Sequence, residues 1–113
     1  GLHCAFSTRG EEPRPPQPGA SVAVRLVQEA VSNVARHAHA SRVWVRLRFL
    51  SEGRIGVLVV DDGRGFDVAE VLGDGPSERN LGVYGMIERT ELAGGHLRLR
   101  TRPGRGVAIR AVL

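Results

Sequence analysis

The chain contains no lysine; all 16 of its Lys+Arg positions are arginine. This excludes a Walker A lysine and the strand lysine of eukaryotic-type protein kinases, so any phosphate chemistry here proceeds without either. Cysteine is limited to Cys4, which rules out an internal disulfide and, with no ligand spacing around it, a cysteine metal site. Aromatic residues are 4% of the chain, too few for a base-stacking platform, and the arginines are scattered rather than clustered. The net charge of +4 is therefore not read as a nucleic-acid footprint. No apolar run approaches the ~20 residues of a membrane span, and the first residues lack the charged and apolar regions of a signal peptide. A cytoplasmic, reducing location is the simplest expectation, one that leaves room for a membrane anchor elsewhere in a full-length protein.

What is present is ordinary for a globular protein: 42% hydrophobic and 25% charged residues in a chain of 113. That length fits one domain, residues 1–113, and allows a real core, with about 65% of the extended-chain surface buried. Leu2, Cys4 and Phe6 alternate with His3, Ala5 and Ser7, predicting a short strand. Residues 10–19 hold four prolines and two glycines and read as a stiff connector rather than an SH3-type ligand.

Ser21 offers an N-cap for a helix running to about Ala38. Ala23, Val27, Ala30, Val31, Val34 and Ala38 share one face. At ~100° per residue, Glu29, Asn33 and Arg36 fall on the opposite side within an arc of roughly 60°, with His37 at the border. Alternation at 43–49 and 97–102, and apolar runs at 55–60 and 107–112, predict four further strands. Pro103-Gly104-Arg105-Gly106 supplies the tight connection of the last two. The pattern implies a mainly antiparallel sheet with one face on helices and an arginine-rich face toward solvent, to which Trp44 also points. Between 67 and 81 periodicity vanishes, and Gly73, Gly75, Pro76 and Ser77 mark a mobile loop. A second helix is expected over 83–93, ending at Gly94-Gly95.

Three constellations can carry chemistry. Glu29, Asn33 and Arg36 on one helical stripe put a carboxylate, an amide oxygen suited to Mg²⁺ and a phosphate-neutralising guanidinium together. Taken alone, the stripe reads first as the solvated face of an amphipathic helix. Asp61-Asp62-Gly63-Arg64-Gly65 follows a strand end, where the Asp61 carboxylate can accept from an exocyclic amine such as that of adenine. Gly63 and Gly65 let backbone approach a flat ring, although a plain turn explains the same residues. Gly82-Val83-Tyr84-Gly85-Met86 opens the second helix, where exposed amides and the helix dipole favour an anion; a flexible hinge is the alternative. His3, His39 and His96 have no ligand partners and are expected at the surface.

The order of these motifs resembles the ATP-binding domain of the GHKL superfamily, the group of gyrase, Hsp90, histidine kinases and MutL. VRLVQEAVSNVARHAHASRVWVRL (24–47) looks like the N box of sensor histidine kinases of the nitrate/nitrite-sensor type. DDGRGF (61–66) looks like their G1 box, and GVYGMIERTELAGGHLRLRTRPGRG (82–106) like their G2 region. The resemblance implies a Bergerat-type α+β sandwich: two layers, a mixed and mainly antiparallel sheet, helices on one face. It also implies ATP and Mg²⁺ as cofactors. Glu29 would assist phosphoryl transfer and Asn33 would chelate Mg²⁺, with Arg36 and His37 near the phosphates. Asp61 would read the adenine amine, with Gly63 and Gly65 under the base. Residues 67–81 would form an ATP lid, with Gly82, Gly85 and Met86 at its phosphate side.

Two positions depart from the family pattern. Relatives often carry a glycine two residues before Gly82, where this chain has Asn80; that implies a stiffer lid tip or a different phosphate contact. Val107 stands where a threonine is common, removing a hydroxyl contact to nucleotide or lid. The implied function is the catalytic domain of a two-component sensor histidine kinase. It would donate the γ-phosphoryl group to a histidine on a separate dimerisation domain, with a response regulator downstream. Because the chain lacks that acceptor helix, it is expected to bind nucleotide without autophosphorylating alone and not to insert in a membrane. An anti-sigma-factor serine kinase of the same fold and a degenerate interaction module are the competing readings.

Overall fold

The computed structural model describes residues 2–11, 19–37, 39–78 and 80–113. Most of the proline-rich connector (12–18), Ala38 and the side chain of His37 thus lie outside the described residues.

Valine-rich alternation builds the sheet. In β2 (Arg42–Phe49), Val43 and Val45 are buried while Trp44, Arg46 and Arg48 face solvent. β3 (Ile55–Asp61) buries every second residue from Ile55 to Asp61. A period of two sends each strand's apolar set to a single face, so one register serves all of them. With β1 (His3–Arg9), β4 (His96–Thr101) and β5 (Val107–Val112), the strand order is β1-β2-β3-β5-β4. β1 runs parallel to β2 and every other neighbouring pair is antiparallel. Val45, Val59, Ile109 and Leu99 stand side by side across four strands and form the centre of the buried face. The opposite face exposes Arg46, Arg48, Arg98, Arg100 and Arg110, as the alternation predicts. The result is an α+β fold, a mixed sheet with its helices on one face.

α1 (Ala20–His37) lays Ala23, Leu26, Ala30 and Val34 on the sheet. Two expectations need correction. Ser21 does not cap the helix: the Gly19 carbonyl accepts the Ala23 amide at 2.9 Å, so the helix begins before Ser21. The core face is also rotated. Leu26 is buried, while Val27 and Val31 are only half-buried, because α3 (Leu81–Leu92) packs beside α1 and draws that flank inward. Within the Glu29–Asn33–Arg36 stripe, Asn33 therefore borders the core, roughly 65° from the middle of the buried set, while Glu29 and Arg36 lie roughly 105° and 125° away.

The segment 67–81 is more ordered than its composition suggests. It contains α2 (Val68–Leu72), capped by Asp67, whose carboxylate accepts the Glu70 amide at 3.0 Å. α3 starts two residues earlier than expected. It ends where glycine was expected to end it: Gly94 takes φ +81° and its amide bonds to the Glu91 carbonyl at 2.9 Å.

Candidate functional site

A cavity of about 590 Å³ opens between α1, the sheet and the start of α3, within the range of small-ligand sites. Its floor is apolar, formed by Val59, Ile109, Leu99 and Val107 from three adjacent strands. One carboxylate interrupts that floor. Asp61 is 5% exposed, at the last position of β3, and accepts the Gly63 amide at 2.8 Å. Burial pushes its pKa above the usual carboxylate value, opposed by the Gly63 and Val107 amides and reinforced by the neighbouring Asp62 charge. A flat apolar surface beside one buried acceptor suits a heteroaromatic ring that carries an amine.

Asp62 faces the other way. It accepts the Ser41 amide, the Arg42 amide and the Ser41 hydroxyl at 2.9, 2.9 and 2.8 Å. The Arg42 amide first, then the Ser41 hydroxyl, hold its pKa below the ordinary value. Two adjacent aspartates are thus split between a cavity acceptor and a structural tie.

The far wall is polar. Glu29, Asn33 and Arg36 all line the cavity. The Arg36 guanidinium lies 3.9 Å from the Glu29 carboxylate and 3.4 Å from the Asn33 amide oxygen. The first turn of α3 packs directly on them: a Cβ on Gly82 would come within 2.5 Å of Glu29 Oε1 and 3.1 Å of the Asn33 amide. Among the described residues, the first intrahelical bond of α3 runs from the Tyr84 amide to the Asn80 carbonyl, and the amides of a helix's first turn generally lack intrahelical partners. A helix N-terminus and an arginine thus share one end of the cavity, an arrangement suited to an anion, beside an amide oxygen suited to a hard cation.

Gly65 lines the cavity at φ +60°; a side chain there would run into the Arg102 carbonyl and lie 2.8 Å from that of Gly106. Thr101 fastens the same turn, its hydroxyl donating to the Gly106 carbonyl at 2.6 Å and accepting the Phe66 amide at 3.2 Å. Other expected residues stand apart from the cavity wall. Gly63 is buried in the turn behind Asp61, and Gly85 is half-buried with Arg89 as its nearest neighbour. Met86 is 0% exposed, a core residue rather than part of the cavity lining. His37 closes α1, its side chain outside the described residues. His3, His39 and His96 are exposed.

Sequence reasoning did not single out Arg64, Phe66, Val71, Glu78 and Leu99, all of which line the cavity. Asp67 followed by Glu70, with Val68, Val71 and Leu72 between and after them, is a capping signature that would have located α2. Nothing local marked the rest. Among the described residues, no group of three or more His, Cys, Asp or Glu could cage a metal.

The fold and the cavity have the form of a nucleotide-binding α+β domain: a ring-sized apolar floor at one end and a helix start suited to an anion at the other. Residues 20–113 match the family described as histidine kinase-, DNA gyrase B- and HSP90-like ATPases, and the chain belongs to that family. Membership makes ATP the ligand of this domain. An uncharacterized sensor-like histidine kinase of Chloroflexus aurantiacus is 39% identical over 84 residues, 74% of this chain and 14% of that protein. The signal transduction histidine-protein kinase/phosphatase DegS of Brevibacillus brevis is 35% identical over 109 residues, 96% of this chain and 27% of that protein. The chain thus spans well under a third of these curated relatives. In fold it resembles the blue-light activated histidine kinase of Erythrobacter litoralis EL346 (TM-score 0.69, 23% identity, 97% of this chain and 54% of that one). It also resembles a full-length ShkA structure containing AMPPNP (TM-score 0.71, 19% identity, 99% of this chain and 25% of that one).

Proposed function

We propose that this domain holds Mg·ATP and donates the γ-phosphoryl group to a histidine on a separate dimerisation domain, as part of a two-component sensor kinase of the nitrate/nitrite-sensor type. The observation that carries the reading is a single cavity joining the buried Asp61 carboxylate to the Glu29–Asn33–Arg36 stripe. Asp61 accepts the adenine amine, and Gly65 lets the base lie close to backbone. Arg36 and the first turn of α3 take phosphate charge. Glu29 accepts a proton from the attacking imidazole, or orients it, while the bond from the γ-phosphorus to ADP breaks.

Mg²⁺ fits this donor set. It favours hard oxygen ligands and completes its shell with water and phosphate oxygens. The Asn33 amide oxygen is such a ligand, with the Glu29 carboxylate on the same wall, and the lack of an acidic cage among the described residues suits a metal that arrives on a triphosphate. When bound, the ion supplies charge neutralisation at the β- and γ-phosphates. His37, one residue beyond Arg36, belongs to the phosphate side of this reading. The remaining partners are a response regulator and the rest of a longer, cytoplasmically exposed protein; no helix among the described residues is long and apolar enough to cross a membrane.

Calorimetry with a non-hydrolysable ATP analogue tests the site. Wild type should bind more tightly with Mg²⁺ than without, and Asn33→Ala should abolish that difference. Equal Mg²⁺ dependence in the variant would remove the role given to Asn33. Mixing the domain with a dimerisation–phosphoacceptor domain should yield acid-labile phosphohistidine; acid-stable phosphoserine on a regulator would instead indicate a serine kinase.

A further inference from the structure

A buried carboxamide has to satisfy an acceptor and two donors. Asn80 is 2% exposed, and its side chain meets that demand within one short stretch of chain. Its Oδ1 accepts the Ser77 amide at 2.7 Å, and its Nδ2 donates to the Val71 carbonyl at 2.6 Å and the Gly75 carbonyl at 3.0 Å. Its backbone is equally committed: the amide donates to the Ser77 carbonyl and the carbonyl accepts the Tyr84 amide, each at 3.1 Å. One residue therefore ties the end of α2, the loop that follows and the first turn of α3. A second tie lies one turn further along α3, where the Tyr84 hydroxyl donates to the Leu72 carbonyl at 2.7 Å. These bonds link protein atoms alone and need no ligand to form. The segment they fasten matters to the cavity, since Val71, Leu81 and Gly82 are part of its wall.

We propose that Asn80 is a lid-positioning residue: its carboxamide staples residues 71–77 to the start of α3, so that both reach the phosphate end of the cavity as one preformed unit. The proposal rests on the nucleotide-binding reading above. A glycine at this position would leave the segment to be ordered by the nucleotide itself, and apparent affinity would fall with the fraction of lid conformations able to bind.

The test combines hydrogen exchange with calorimetry on wild type, Asn80→Gly and Tyr84→Phe. In nucleotide-free Asn80→Gly, exchange across residues 71–77, and at the Ser77 amide above all, should quicken at least roughly tenfold. Affinity for a Mg·ATP analogue should drop roughly tenfold while that for adenosine, which has no phosphate, stays within about twofold. Should Asn80→Gly fail to fold, Tyr84→Phe keeps the ring, removes only the second tie, and should show the same pattern at about threefold.

Unchanged exchange and unchanged analogue affinity would overturn the proposal. So would an equal loss for adenosine and the analogue, which would make Asn80 a general support of the fold. If wild type itself binds no nucleotide, the functional reading fails, and this inference falls with it.

Discussion

A carboxylate at the end of a buried strand has two ways to stay tolerable: accept hydrogen bonds or take up a proton. Asp61 does the first through the Gly63 amide, yet burial still raises its pKa above the ordinary 3.8. Because the folded state holds the proton more tightly than the unfolded chain, the ionised form carries a stability penalty above the folded pKa. Acidification through that pKa relieves the penalty. Asp62 has the opposite sign: its lowered pKa gives stability present above the ordinary carboxylate value and lost as pH falls from there through the lowered folded value. For function, only ionised Asp61 accepts from an amine with both oxygens. Adenosine affinity should therefore decline on acidification while the pH is still above 3.8, and Asp61→Asn should flatten that decline; calorimetry across pH on both proteins checks it. Gly65 is a cavity residue whose identity is forced. Gly65→Ala combines positive φ with a collision against the Arg102 carbonyl, so it should destabilise by more than ~1 kcal/mol and weaken nucleotide binding, read by denaturant titration and calorimetry.

Helix α1 serves packing and site at once. Its buried face, Ala23, Leu26, Ala30 and Val34, uses small residues that let the helix lie close to the sheet, with Leu26 as the one large side chain in the set. Leu26→Ala should cost about 2–5 kcal/mol, measured as a lower urea midpoint at unchanged slope. The position of this face was only partly legible. Periodicity identified the helix and the Glu29–Asn33–Arg36 stripe, but a valine-rich helix offers several apolar arcs, and hydropathy alone preferred Val27 and Val31. Packing of α3 against one flank selected Leu26 instead, and long-range packing of that kind leaves no local signature. The segment 67–81 shows the converse. Its glycines and proline marked irregular backbone correctly, while its order comes from a buried amide whose partners lie three to nine residues away. Composition does not register such bonds.

At the scale of the molecule, ligand binding should couple to global stability because the cavity joins α1, four strand positions on the floor and the start of α3. A ligand at ~100 times its Kd adds about 2.7 kcal/mol, which for a domain of this size raises Tm by roughly 10 °C. A thermal melt with saturating Mg·ATP analogue should show such a rise in wild type and a clearly smaller one in Asp61→Ala. The mainly antiparallel sheet and its arginine-bearing outer face followed from strand alternation, since period-two patterning commits each residue to one side. The parallel pairing of β1 with β2 did not, because a strand exposed along its whole length carries no mark of which edge it joins.

Taken alone, the order of residues was enough to name the chemical types and the local shapes: a carboxylate after a buried strand, an amide and an acid on one helix, glycines opening another. Each is a property of neighbours within a few positions. Tertiary structure decided which of them meet. It set Gly82 against Glu29 and Asn33 and moved Met86 into the core, because convergence across about 50 positions depends on how the helices settle on the sheet and not on any local preference. It also folded the loop after α2 back on itself, which gave Asn80 three partners only three to nine positions away.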